Sequence, residues 1–315
     1  MESTSRYPVV LLAFNRPDLT AKVFKTIRAW KPRELHLVVD GPRPGNPLDE
    51  DLVAQVKKVI SVVDWPCEVH EHFADSNMGL KARISSGLSR VFDQSEAAII
   101  LEDDCVPDPS FFSYCDELLH RYRETPEVGI IGGSSRLRGS RASTYSYDFS
   151  SDLRIWGWAT WARTWTGFVD SGDLDASWSE NEREEIVARF PTGPRRASMS
   201  RMLSQAAQLD SWALPFAVHF KRRGYLSTVP EVNLVENVGF GARSTHTTFE
   251  DYVAQLPSQP LPFPLRHPPV VMENPEVDRL ESARDRSERW RYPLRHPVDT
   301  LGRFLRYGAR RLRGS

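Results

Sequence analysis

The residues best suited to chemistry are three consecutive carboxylates, Glu102-Asp103-Asp104, which follow the apolar run 97–101. A buried strand that ends in three like charges needs a compensating charge. A divalent cation supplies one, and hard carboxylate oxygens suit Mg2+ or Mn2+. The protein would then give few ligands, with phosphate oxygens and water filling the rest. Such a cation stabilises negative charge that develops on a leaving phosphate. A transfer to a hydroxyl would also need a base, which must come from another segment. The alternative for the triplet is a solvated acidic turn.

The elements that must position these groups are legible from period and punctuation. Residues 9–14 form an apolar run, as a buried parallel strand requires. Asn15-Arg16-Pro17-Asp18 breaks it, and Pro17 suits the first turn of a helix. Leu19, Val23, Ile27 and Trp30 follow at helical spacing, and Pro32 stops them. A second strand is expected at 35–39, ended by Asp40-Gly41-Pro42, and a helical stripe at Leu52, Val56, Val59 and Val63. Residues 67–73, 79–92 and 97–101 read as strand, helix and strand. This alternation predicts an α/β fold with a doubly wound, mostly parallel sheet. Ligands of such sheets lie beyond the carboxyl ends of the strands. Asn15-Arg16, Asp40 and the acidic triplet all fall there.

Composition sets the outer bounds. The chain has 315 residues, 40% hydrophobic and 26% charged, which is ordinary for a globular protein with a full core. A net charge of −1 gives no field for nucleic acid, which is not expected as a partner. Cys67, Cys105 and Cys115 form no CxxC pair, so reduced thiols and a cytoplasmic setting are expected. No apolar run reaches spanning length. Residues 257–269 hold six prolines and should be extended. In 299–315, Leu301, Phe304, Leu305 and Leu312 oppose Arg303, Arg306, Arg310 and Arg313. That tail would either touch the inner face of a membrane peripherally or dock on the protein's own core.

The first βα unit, the segment Leu101-Glu102-Asp103-Asp104 and the stretch Val106-Pro107-Asp108-Pro109-Ser110-Phe111-Phe112 resemble GT-A glycosyltransferases. The likeness is to bacterial family-2-like enzymes and to the eukaryotic mannoside β-1,2-N-acetylglucosaminyltransferases. It spans roughly residues 7–250. It implies a GT-A fold with a C-terminal acceptor-side region and helical tail. Residues 1–130 would be the nucleotide-sugar half and 131–256 the acceptor and base half, with 257–315 as linker and tail. The donor would be a UDP-sugar or another nucleotide-diphosphate sugar, carrying GlcNAc or another hexose. The acceptor would be a glycan or a lipid-linked glycan.

Residue by residue, the resemblance implies that Asp104 ligates Mn2+ or Mg2+, that Asp103 lies beside it, and that Glu102 lies near the donor sugar. Phe14, Asn15, Arg16 and Asp40 would frame the base and ribose. Lys81 and Arg83 would approach the nucleotide or diphosphate, or else be surface charge on a helix start. Asp210, in Leu209-Asp210-Ser211-Trp212, is the expected catalytic base, although Ser211 replaces an acidic residue of those enzymes. Residues 237–247 resemble their mobile loop, in which His246 would reach the metal and Arg243 the diphosphate. Of the tryptophans in 154–165, Trp158 is the one expected to face the site.

Two rivals stand. A sugar-nucleotide nucleotidyltransferase shares the sheet and the carboxylates, but usually has a Gly-rich basic loop where this chain has Phe14-Asn15-Arg16-Pro17. A non-catalytic glycan-binding protein on the same scaffold would leave the carboxylates idle. The absence of GxxxxGK[ST], GxGxxG and GxSxG excludes P-loop, dinucleotide-fingerprint and hydrolase-elbow readings.

Overall fold

The computed structural model describes residues 5–137, 144–190, 192–239 and 256–295. The first 102 residues alternate strand and helix as their periodicity predicts: β1 (Val9–Ala13), α1 (Pro17–Trp30), β2 (Glu34–Val39), α2 (Pro47–Ile60), β3 (Glu68–Phe73), α3 (Leu80–Phe92) and β4 (Ala97–Glu102). Pro17 opens α1, Thr20, Val23, Phe24 and Ile27 form its buried stripe, and Lys31 closes it in the left-handed conformation. Asn46 caps α2 by accepting from the Asp49 N–H at 3.3 Å. That helix ends at Ile60, one turn short of Val63, the last residue of the expected stripe.

The rest of the chain is β5 (Cys105–Pro107), α4 (Ser110–Arg121), β6 (Val128–Gly132), β7 (Tyr147–Ser150), β8 (Trp158–Trp161), α5 (Ala162–Asp170), α6 (Glu180–Ala188), α7 (Pro194–Ala206), α8 (Ala213–Arg223), β9 (Leu226–Pro230), β10 (Val235–Asn237) and α9 (Pro275–Arg295). Eight strands form one sheet in the order β3-β2-β1-β4-β8-β6-β9-β7. Strands β8 and β7 run against the others. The sheet is therefore mostly parallel. β10 pairs antiparallel with β5 in a separate ribbon.

Alternation along the strands divides the core in two. Val9, Leu11, Leu35 and Leu37 face the cluster under α1, α2 and α4. Val10, Leu12 and Val38 face the cluster under α3, α5 and α8. Helices thus cover both faces, as a parallel sheet demands. Register then aligns the strand exits. Leu12 lies opposite Glu102, and Ala13 lies opposite Val39. The polar residues just beyond these positions emerge at one rim.

The proline-rich segment is irregular, as expected, and it is packed: Leu261 and Leu265 are buried. Helix α9 has no counterpart among the expected elements. It docks through Val277, through the buried pair Arg154–Glu281 at 2.7 Å, and through Ser150, which donates to Asp278 at 2.5 Å. Its dispersed apolar residues hide it from a periodicity reading. Cys67, Cys105 and Cys115 are free thiols. No described helix is long and apolar enough to cross a membrane. The expected tail helix at 299–315 lies outside the described residues.

Candidate active site

The rim carries a cleft of about 250 Å3. Phe14 and Arg16 come from the β1 exit, Asp40 from the β2 exit, Arg83 from α3, and Glu102 and Asp103 from the β4 exit; Asp210, ahead of α8, completes the lining. Segments separated by up to 196 positions in sequence therefore meet at one place. The reason is topological: β2, β1 and β4 are adjacent and parallel, so their exits converge.

The charge on the acidic triplet is answered first by a side chain. The Arg16 guanidinium pairs with Asp103 and, at 2.9 Å, with Asp104. Phe14 N–H also points to Asp103 at 3.4 Å. Burial works against the Arg16 charge, but the two aspartates outweigh it and raise its pKa. Burial pushes Asp103 up to about 6, against the pull of Arg16. Glu102 is pushed up to about 8 by burial and then by the charges of Asp104 and Asp103. The expectation that these carboxylates need a partner thus finds Arg16 in that role.

Among the described residues, Glu102, Asp103 and Asp104 do not bring three ligand oxygens within 4.8 Å of one another. The hard oxygens of Asp103 and Asp104 fit a divalent cation that carries phosphate and water as its other ligands. A three-ligand protein cage is not built here. Gly239 presses on the same spot: a Cβ there would stand 2.1 Å from Asp104 Oδ2. Val238 N–H donates to the Asp104 carbonyl at 2.8 Å, continuing the β5–β10 ribbon. Gly239 therefore lies directly against Asp104. Arg243 and His246 lie outside the described residues.

Asp40 is buried and fully engaged. Its Oδ1 accepts from the Gly41 and Met78 N–H groups at 2.9 Å, and its Oδ2 accepts from Asn77 Nδ2 at 2.9 Å. It stitches the β2 exit to the turn before α3. Burial raises its pKa, with the Met78 N–H opposing. Arg83 is buried too, and donates to the His72 carbonyl. Its Nε has no hydrogen-bond partner, and burial lowers its pKa. An incompletely paired buried guanidinium in a cleft is suited to an anion. Gly79, at φ 82°, starts α3 beside it, so the first turn opens into the cleft.

Asp210 is exposed at the opposite rim, over Gly79, where an added Cβ would meet its Oδ2 at 3.2 Å. It accepts no hydrogen bond from other described residues and does not cap α8.

Asp104 does not itself line the cleft and is joined to it through Arg16, and three further expected site residues do not line it either. Asn15 donates to Asp49 at 2.8 Å, away from the cleft. Lys81 reaches back to the Leu174 carbonyl at 3.3 Å. Trp158 is a correction: it is 0% exposed and stacks on Trp212 with ring centroids 5.7 Å apart. It sits on β8 between β4 and β6, where both sheet faces are covered, so its ring belongs to the core. Sequence reasoning missed Arg43 and Asn77, which line the cleft. Both lie just past strand exits, and that position was the available signal.

No family model and no curated protein matches the chain. Among solved structures it is similar to a UDP-glucose pyrophosphorylase complexed with UDP-glucose, at 9% identity and a TM-score of 0.35, over 71% of this chain and 90% of that one. It is also similar to a 4-diphosphocytidyl-2C-methyl-D-erythritol synthase from Anaerococcus prevotii, at 8% identity and a TM-score of 0.35, over 69% of this chain and 97% of that one. At those values neither likeness speaks to activity. The chain itself is an eight-stranded, mostly parallel α/β sheet with helices on both faces.

Proposed function

We propose that the cleft binds a nucleotide-diphospho-sugar and that the chain is an inverting, metal-dependent glycosyltransferase. One observation carries this reading: Asp103, braced by the Arg16 that also holds its neighbour Asp104, and the exposed Asp210 carboxylate stand at the same cleft. The first end suits a diphosphate with its cation, and the second suits an acceptor hydroxyl.

Each residue then has a task. Asp104, with Asp103 beside it, would hold Mg2+ or Mn2+, which supplies charge stabilisation to the leaving diphosphate. Arg83 and the open first turn of α3 take up negative charge on the nucleotide side. Glu102, at the cleft wall, contacts the donor sugar. Asp210 draws the proton from the acceptor hydroxyl and needs no rearrangement of hydrogen bonds to do so. The donor is a UDP-sugar bearing GlcNAc or another hexose. The acceptor is a glycan or lipid-linked glycan, met by residues 131–256, with residues 1–130 holding the donor. Arg243, His246 and peripheral membrane contact through 299–315 belong to the same reading.

A donor panel tests it. The full chain is incubated with Mn2+ and individual nucleotide sugars, and released nucleotide and thermal shift are measured. Turnover of one donor is expected. Silence across the panel would overturn the reading.

Nucleotidyl transfer is the second reading, and it is favoured by the three guanidiniums, Arg16, Arg43 and Arg83, that line the cleft. They suit a triphosphate as well as a diphosphate. Pyrophosphate released from a nucleoside triphosphate and a sugar 1-phosphate, with no turnover of nucleotide sugars alone, would establish it instead.

A further inference from the structure

At the other end of β2, away from the cleft, the sheet gathers a second set of polar groups. Glu34 and His36 are two apart on β2, and Glu68, His70 and His72 are two apart on β3. Parallel register sets Glu34 opposite Glu68 and His36 opposite His70. All five side chains therefore share one face of the sheet edge. His36 is wholly buried, whereas His70 and Glu34 are partly open to solvent.

The donor atoms approach the spacing of a coordination sphere. Glu34 Oε1 lies 2.9 Å from His36 Nε2 and 3.4 Å from His70 Nε2. Glu68 Oε1 lies 3.4 Å from His70 Nε2. Tetrahedral ligands on zinc, at about 2.0–2.1 Å from the ion, stand about 3.3 Å from one another. Among the described residues, Glu34, His36 and His70 are the one set that brings three such atoms within 4.8 Å.

Two further observations point to a cation. His70 Nε2 is cut off from water and makes no hydrogen bond. His36 uses its other nitrogen, Nδ1, against His72 Nε2 at 3.1 Å, so its ring is oriented from behind. Metal-binding histidines are generally held through the other ring nitrogen, most often by a carboxylate, carbonyl or water; here an imidazole takes that place. The His36 and His70 rings are near parallel, 14° apart with centroids at 4.5 Å. Binding therefore requires His70 to turn about χ2, a soft torsion for imidazole, at a ring on an edge strand.

We propose that Glu34, His36 and His70, with Glu68 as a fourth ligand, form a binding site for one zinc-type divalent cation. Two imidazoles with carboxylates select Zn2+ or Co2+ over Mg2+ or Mn2+. The site is independent of the proposed function. Bound there, the ion ties edge strand β3 to β2.

The test is calorimetric titration of the full chain, freed of metal by chelator, with Zn2+, followed by Co2+ absorption spectra. Wild type is expected to bind Zn2+ at this site with a dissociation constant below about 10 µM and to give Co2+ a tetrahedral visible spectrum. His70→Asn should lose this event and the spectrum while keeping the metal-free melting temperature. His72→Phe should weaken binding by about 10–100-fold. Glu34→Gln serves as a second ligand variant if His70→Asn melts early. The proposal fails if no such event occurs. It also fails if the ligand variants bind as wild type does, or if Asp104→Asn is the substitution that abolishes binding.

Discussion

The two ends of the parallel sheet handle buried charge in opposite ways. At the C-terminal rim, Asp103 and Asp104 are answered by Arg16, a residue 87 positions from Asp103 and carried on a different strand exit. At the β2–β3 edge, Glu34, His36, His70 and His72 answer one another at spacings of two along paired strands. The rim builds an asymmetric place, with carboxylates on one wall and an incompletely paired guanidinium on another. The edge builds a compact cluster of like donors. The first arrangement suits a large, polarised substrate, and the second a single small ion.

Four substitutions sharpen or break that contrast, in falling order of expected effect. Asp104→Asn at the rim should reduce nucleotide-sugar turnover by about 100-fold or more with the fold retained. Unchanged turnover would remove the rim from the chemistry. Asp210→Asn should lower kcat by about 100-fold and leave the melting temperature unmoved, because Asp210 holds no hydrogen bond among the described residues. A lower melting temperature with intact kcat would make it a structural residue.

Asp49 tests whether the rim's supporting ring is electrostatic. It receives Arg43 and Asn15, and the Arg43 hydrogen bond holds its pKa down at about 2. Its folded value is depressed, so its contribution is complete above the unfolded value near 4 and fades as pH falls through about 2. Asp49→Asn should therefore cost about 1–2 kcal/mol at neutral pH, a cost that shrinks below the unfolded value and is gone only at pH values under the folded one. Chemical denaturation across pH reads this directly. A penalty that does not vary with pH would assign Asp49 a packing role. The smallest effect on function belongs to Trp158→Phe. Its buried indole Nε1 has no partner, so the change breaks no hydrogen bond, costs about 1–2 kcal/mol for the cavity it leaves and spares turnover. A tenfold loss of turnover would return that ring to the site.

What could be read from the sequence follows the range of the interactions. The alternation of β1 through β4 was visible because each element carries its own period and its own stop, such as Pro32 or Asp40-Gly41. The acidic triplet was visible because its three members are adjacent. Arg16 was legible as a site residue, but not as the carboxylates' counter-charge, since that requires β1 and β4 to be neighbours. The histidine cluster was not legible at all. Alternating His and Glu on an edge strand resembles any polar strand until register pairs Glu34 with Glu68. Trp158 failed for a related reason: an antiparallel strand inserted between β4 and β6 buries it, and nothing local announces that insertion.

Arg154 and Glu281, 127 positions apart, are both almost sealed from solvent and hold each other at 2.7 Å. A guanidinium in the interior cannot shed its proton, so it stays tolerable only while its acid is present. Helix α9 is thus a dowel without which the hole is worse than solid wood. A chain cut ahead of Pro275, or grafted onto a different ending, inherits a stranded cation beneath β7 unless the new ending brings a carboxylate to the same depth.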